Sequence, residues 1–395
     1  LRELGLGHKL AWLPSRVGLF HDGRLWPFTT PTDLLRFRAL PLRDRVRLGL
    51  ASLRLQRRQP WRSLERVAAA EALPGLFGPR AYQMLGEPML RGKFGARYRE
   101  VSMAWFWGKV YLRFAGRGRD LGKERLGYPM GSFGMVFDAL AEAVRRQGGE
   151  VHTGTAVRRV LVEEGRATGL EVEAPGRGVL EERFDAVLAT VPSFIFPRLV
   201  PQLPQEYLGR LTGVTYLAAV LAVLVLDRPL TRFYWMNIAD RSVPFVGVIE
   251  HTNFIPPEHY GGLHVVYLSN YLGKESPYYH MGREELLEAY VPSLHRLNPA
   301  FELSWVREYL YHREEAAQPV IGVDYSWRIP THRTPIPSLY LANTTQIYPE
   351  DRGTNYSVRL GRKVARLIMA DRGQRVDTPL PTPAIPDSVT AAMVE

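Results

Sequence analysis

The chain of 395 residues contains no cysteine. That excludes disulfides, thiolate nucleophiles, Cys-ligated metal and covalent attachment of any group through a thiol. A reducing cytoplasm is the expected compartment. Lysine is scarce: Lys9, Lys93, Lys109, Lys123, Lys274 and Lys363 are the whole set, so the 51 basic residues are nearly all arginine. No apolar run is long. The longest, about Leu217 to Leu226, falls short of the roughly 20 residues a spanning helix needs and reads as a buried strand. Peripheral membrane contact stays open. The opening Leu1-Arg2-Glu3-Leu4-Gly5 is neither a start Met nor a signal peptide. A Walker loop, a Gly-x-Ser-x-Gly elbow, zinc-finger spacing and an RNA-binding aromatic signature are all missing. The ten histidines include no convincing His-x-x-x-His pair, so no metal site is expected. Nucleic acid is not an expected partner, a small-molecule substrate is, and nothing in the sequence sets an oligomeric state.

What is present is enough apolar residue, 46%, to bury a large core, and more than one domain is expected at this length. The net charge of +11 suits a phosphate-bearing cofactor, an acidic substrate, nucleic acid or an anionic membrane face. Arg57-Arg58 and Arg145-Arg146 are pairs rather than runs, and a solvated Arg-rich surface is the better reading.

Asp22-Gly23 predicts a hairpin turn, and Pro31 opens a helix with Thr30 or Thr32 as cap. Residues 32–115 read as mainly helical, including Arg43 to Leu55 and a helix opening at Ser63, with a break at Gly75 to Pro79. Met103-Ala104-Trp105-Phe106-Trp107 either lines an apolar pocket or is core, and core has the edge. Gly116 to Gly122 reads as a polar surface loop, because no buried strand precedes it. Tyr128 to Gly134 is a Gly-rich turn. A helix follows with Val136, Leu140, Ala143 and Val144 on one face, stopped by Gly148-Gly149. Strand pieces and a turn at Glu164-Gly165 come next, then a strand over Phe184 to Thr190. Residues 210–330 are strand-rich around one helix, Arg283 to Leu297. Leu339 to Asn343 is a short buried strand, a helix runs from about Asn355 to Met369, and the Pro-rich tail from Pro379 is expected to be mobile.

Two separated segments resemble one family. Tyr128-Pro129, Gly131, Gly134, Leu140, Gly148-Gly149, Val151 and Val157, with the strand Asp185 to Thr190 and Pro192, resemble the middle FAD-binding segment of the amine oxidase, phytoene desaturase and protoporphyrinogen oxidase superfamily. Leu339-Tyr340-Leu341-Ala342, Arg352-Gly353-Thr354-Asn355, Gly361-Arg362 and Ala365 resemble its C-terminal flavin segment. The family opens with a Gly-rich strand-turn-helix for the pyrophosphate, which this sequence lacks, so the chain reads as truncated at its N-terminus, with true loss of the cofactor as the rival reading. Where the family usually has Gly-Asp at the strand end, this chain has Asn343-Thr344.

The resemblance implies an α/β fold, with a Rossmann-like FAD-binding domain of discontinuous segments. Beside it is expected a substrate domain with a mixed β-sheet and helical cap. The expected partition is 1–127 for the N-terminal part of the substrate and helical cap region, 128–205 and 333–372 for the two FAD segments, 206–332 for the strand-rich substrate domain, and 373–395 for the tail. It implies FAD as cofactor. Val157 would lie at the adenine end, Thr190 and Pro192 near the pyrophosphate, and Asn343 and Thr344 at a ribityl hydroxyl. Gly353, Thr354 and Asn355 would form a helix start under the ring, with Arg352 at the flavin edge or an anionic substrate. Each also has a plain reading: strand valine, strand-ending turn, capped helix start, ion pair of Arg352 with Glu350 or Asp351. Tyr325, Trp327 and Tyr348 are weak candidates for substrate contact, and no catalytic residue is identified. The aromatic stock (Trp105, Trp107, Tyr234, Trp235, Tyr325, Trp327) suggests a hydrophobic or planar substrate, and the reaction implied is hydride removal from a C–N or C–C bond. Two alternatives stand beside it: a flavoenzyme like UDP-galactopyranose mutase with no net redox change, and a non-catalytic partner-binding module that kept the fold.

Overall fold

The computed structural model describes residues 1–57, 60–115 and 125–374. The loop at Gly116 to Gly122 and the Pro-rich tail lie outside the described residues. The chain divides into two compact units. The first joins Leu1–Ala143 to Tyr216–Val323, and the second joins Val144–Thr215 to the segment from Asp324 onward. The α/β class expected from the sequence holds: helices and several separate sheets share the chain. No helix among the described residues is long and apolar enough to cross a membrane, and no group of three or more metal-ligating side chains occurs among them.

The first unit is organised by a seven-stranded sheet in the order Val306–Pro319, Tyr216–Leu226, His264–Leu272, Gly247–Glu250, Trp235–Ile238, Val17–His21, Arg24–Pro27. All neighbours are antiparallel except Trp235–Ile238 and Val17–His21, which run parallel. The sheet is therefore mixed. The apolar run read as a buried strand is Tyr216–Leu226, flanked on both edges. Its Val220, Ala222, Leu224 and Leu226 pack with Leu286, Tyr290 and Leu294 of the helix Arg283–Leu297. Apolar residues on consecutive positions suit a strand covered on both faces.

The helical part follows the sequence with shifts of a few residues. Thr30 caps the helix Pro31–Arg36 in a capping box with Asp33. The expected helix at Ser63 is a single turn, Trp61–Leu64, and the next helix begins at Ala69. That helix runs through Pro74 and Gly75 and ends at Gly78, whose φ of 89° stops it, so the break falls later than expected. Noise in the Arg43–Leu55 pattern has a cause: Leu48 and Leu55 are buried, while Val46, Leu50 and Leu53 face outward. The stretch Met103 to Trp107 is core, each side chain at most 4% exposed. Phe94 meets Trp105 edge-on at 4.6 Å, and Trp107 donates through Nε1 to the Arg57 carbonyl at 3.2 Å. The helix Gly134–Arg146 forms as expected, but its apolar stripe buries nothing. Leu140 and Val144 stay exposed.

One buried charge ties a loop to the sheet. Glu250 is fully buried at the end of the strand Gly247–Glu250. Its Oε1 accepts from the Leu230 N–H at 3.0 Å, and its Oε2 accepts from the Thr231 N–H at 2.6 Å and the Thr231 hydroxyl at 2.8 Å. Burial pushes the carboxyl up to about 7, against the Thr231 and Leu230 donors that pull it down. Glu250→Leu strands two backbone donors and should cost on the order of 1–3 kcal/mol for each. Glu250→Gln keeps an acceptor and should cost clearly less, as urea unfolding would read. Equal losses for the two variants would show that the side chain fills space rather than satisfying the loop.

Candidate functional site

In the second unit the chain makes a three-stranded antiparallel meander, Ala156–Glu163, Arg166–Ala174 and Gly178–Arg183. The turn between its first two strands needs positive φ at Glu164 (48°) and Gly165 (75°). The strand expected over Phe184 to Thr190 shortens to Val187–Ala189. It pairs in parallel with Leu339–Leu341 from the far end of the sequence, Val187 opposite Leu339 and Ala189 opposite Leu341. The meander joins this pair in one core: Val160 and Ala167 cluster with Val187, Phe196, Leu339 and Leu341. The Ala167 N–H also donates to the Pro337 carbonyl at 3.0 Å. The helix Thr354–Asp371 packs Val364 against Tyr340 and Ala342.

Parallel pairing places the carboxyl ends of both strands side by side, where open α/β sheets bind ligands. The turns leaving those ends are stitched together by Asn343, which is buried. Its Nδ2 donates to the Val191 carbonyl at 3.0 Å and to Ser193 Oγ at 3.1 Å. Its Oδ1 accepts from the Thr345 N–H at 3.1 Å and the Thr345 hydroxyl at 2.6 Å. All four hydrogen-bonding positions of the amide are thus filled within the chain. Asn343 builds the rim and has none left over for a ribityl hydroxyl. Thr190 and Thr344 stand exposed on that rim, with Pro192 half-buried beside them.

The chain then passes through buried Glu350 and Asp351 to the helix start. Glu350 pairs with Arg359 of the helix at 2.5 Å. Gly353 caps the 18-residue helix with no side-chain bond. The N-cap residue thus offers no side chain to the N–H groups of the first turn, on Thr354, Asn355 and Tyr356, which carry the positive end of the helix dipole. Gly353 is extended (φ −178°), a conformation open to any residue. Its value is space, since a Cβ there would meet Asn355 Oδ1 at 3.0 Å.

Val157 lies on the edge strand of the meander, 39% exposed, in the same unit as Gly353. Of the weak substrate candidates, Tyr325 is buried and donates its hydroxyl to the Thr345 carbonyl at 2.9 Å, serving the same rim. Tyr348 tilts against it at 5.4 Å between ring centres. Trp327 is 72% exposed.

Sequence reasoning missed an aromatic cluster in the first unit. Tyr128 packs against His251 at 5.3 Å and Phe254 at 6.1 Å, and Tyr234 stacks on Phe254 at 4.5 Å. His251 Nε2 and the Tyr260 hydroxyl are 2.6 Å apart. Burial lowers the His251 pKa and raises those of Tyr234, Tyr260 and Tyr267, so the imidazole is neutral and the phenols protonated at pH 7. The signal was the His251 to Tyr267 stretch, whose polar aromatics alternate with turns.

The family model described as "Flavin containing amine oxidoreductase" matches residues 2–369. Among solved structures, a putative protoporphyrinogen oxidase from Exiguobacterium sp. 255-15 is 18% identical with a TM-score of 0.70, covering 93% of this chain and 84% of that one. A putrescine oxidase bound to putrescine is 17% identical with a TM-score of 0.64, over 93% and 84% of the two chains. A reduced UDP-galactopyranose mutase is 15% identical with a TM-score of 0.60, over 82% and 70%. At these identities the likeness is one of fold. No curated protein matches the sequence significantly.

Two outcomes test the rim. Asn343→Asp sets a carboxylate against the Val191 carbonyl and loses both donors, so urea unfolding should show a loss on the order of 1–3 kcal/mol. An unchanged midpoint would mean that Asn343 is not the tie. His332, whose Nδ1 donates to the Leu341 carbonyl at 3.1 Å, is held down to about 4 by burial and by the Lys363 charge. The unfolded histidine takes up its proton near pH 6.5, so the folded state binds fewer protons between those values. Stability should therefore be full above pH 6.5 and fall toward pH 4, by at most about 1.4 kcal/mol per pH unit from this site. Melting temperature against pH reads it, and His332→Gln should flatten that part of the curve.

Proposed function

The chain belongs to the family of flavin containing amine oxidoreductases, and on that premise we propose a substrate class and a set of binding residues for this FAD-dependent oxidoreductase. The reaction is removal of a hydride from a C–N or C–C bond of a small hydrophobic or planar molecule. When bound, FAD supplies the two-electron acceptor. The chain's own residues supply grip and electrostatics.

The observation that carries the reading is the rim itself. Two parallel strand ends are locked together by Asn343, with an uncapped 18-residue helix starting a few residues beyond. Negative charge on a reduced ring is favoured by N–H donors and a helix dipole, which the backbone of Thr354 and Asn355 provides. Gly353 leaves the approach open. Thr190, Pro192 and Thr344 suit the sugar and phosphate part as exposed rim groups, Val157 the adenine end, and Arg352 an anionic edge. Asn343 enters as the residue that holds the rim. The aromatic surface of Tyr128, Tyr234 and Phe254 suits a planar or apolar substrate.

The fold shared with a reduced UDP-galactopyranose mutase favours a second reading, a flavoenzyme with no net redox change. Such a protein would turn over only after prior reduction and would consume no acceptor.

Gly353→Asp is the direct test. Aspartate is a good N-cap, so the helix itself is not harmed, while its negative charge and added side chain occupy the approach. FAD titration followed by flavin fluorescence should show affinity reduced roughly ten-fold or more, about 1.4 kcal/mol, with Gly353→Ala milder. Binding of FAD to the Asp variant at full strength would sink the assignment of this helix start.

A further inference from the structure

The first unit has an open surface pocket of about 590 Å³ that no part of the flavin reading uses. Its size is that of a small-ligand site. His21, Arg38, Arg80 and Gln83 give it polar groups, and Leu40 and Met84 give it apolar ones. These come from four places in the fold. His21 ends the strand Val17–His21, and Arg38 and Leu40 sit between the helices Pro31–Arg36 and Leu42–Leu55. Arg80 lies in the turn Pro79–Ala81, and Gln83 and Met84 lie in the π-helical turn Tyr82–Gly86. Single π turns break the regular helix ladder at a cost and gather at functional sites.

The charge arrangement is one-sided. Among the described residues, none that lines the pocket is acidic. Several other arginines of the unit have partners: Arg45 donates to the Leu35 carbonyl, Arg47 to those of Gly75 and Leu76, and Arg91 and Arg241 both hold Glu87. Arg38, Arg80 and Gln83, by contrast, make no ion pair or side-chain hydrogen bond among the described residues. His21 adds a buried Nδ1 with no hydrogen-bond partner. Two unpaired guanidinium groups and the apolar Leu40 and Met84 line one pocket, a combination that matches an anion with an apolar body, because a guanidinium grips a carboxylate through two parallel hydrogen bonds. Methionine adapts its shape to what lies on it.

We propose that this pocket binds a small amphipathic carboxylate, its head on Arg38 and Arg80 and its chain or ring on Leu40 and Met84. The site is complete within the first unit and does not rest on the flavin assignment. Binding can therefore be read by calorimetry on the whole chain, with and without added FAD, and no turnover is needed.

Octanoate is the probe, with octanol, acetate and octylamine as the arms that carry only the chain, only the head, or the opposite charge. Octanoate should bind at millimolar concentration or tighter, and each of the other three roughly ten-fold more weakly or not at all. Arg38→Gln and Arg80→Gln should each weaken octanoate by roughly ten-fold and leave octanol unchanged. Both side chains are exposed, so unfolding midpoints of the variants should match the parent, which separates lost binding from lost fold. Lys274→Gln, elsewhere in the unit and paired with Glu315, should bind octanoate as the parent does. The proposal is overturned if octanoate does not bind, if octanol binds as well as octanoate, or if both arginine variants keep parental affinity.

Discussion

The second unit depends on a pairing of three residues with three, Val187–Ala189 beside Leu339–Leu341. The partners are about 150 positions apart, and parallel strands cannot be joined by a short turn. Closing so long a loop costs entropy that two short strands cannot repay by backbone bonds alone. The return comes from the core beneath, where Leu339 and Leu341 pack with Val187, Phe196, Val200 and Leu211, and from the tie above, where Asn343 reaches across to Val191 and Ser193. The same two turns are also joined by Ser193 Oγ and Thr345 Oγ1, 3.2 Å apart, and by the Ala342 N–H, which donates to the Ala189 carbonyl at 2.9 Å. The rim, the helix start and every residue assigned to the flavin are positioned by that closure.

This explains how a departure from the family pattern at Asn343 is compatible with the family fold. Asn343 stands where the family usually has Gly, and Thr344 where it has Asp. The amide both donates and accepts, and here its donors are spent on Val191 and Ser193 and its acceptor on Thr345. Asn343 thus ties the two turns together, and the exposed Thr344 faces outward.

The elements were legible where a local rule decides them. Thr30 with Asp33 is a capping box, Asp22-Gly23 a hairpin turn, and Arg283–Leu297 a helix with its cap and period in order. Boundaries failed where tertiary packing overrode the local signal. Pro74 and Gly75 are carried through a helix because Leu73 and Phe77 are buried on either side of them. The site was legible in part. The motif residues at 339–355 fall on a strand, a rim and a helix start, since backbone geometry there is a short-range property. Side-chain partners were not legible: Glu350 pairs forward with Arg359, and Tyr325 turns its hydroxyl inward.

Aromatic residues show why substrate contacts resist reading from sequence. Burial of ring surface stabilises a core and a pocket wall by the same amount per unit area, so composition cannot separate Trp105 and Trp107, which are core, from Trp327, which is open to solvent. What separates them is the fate of the polar atom. Trp107 spends its Nε1 on the Arg57 carbonyl. In the cluster around His251 the hydroxyls instead face one another and a neutral imidazole, half-buried and close enough to share protons. A packed core gains little from grouping polar rings that apolar ones could replace without desolvation. On the proposed function, that grouping makes the cluster, rather than the tryptophan-rich helix, the surface offered to a planar substrate.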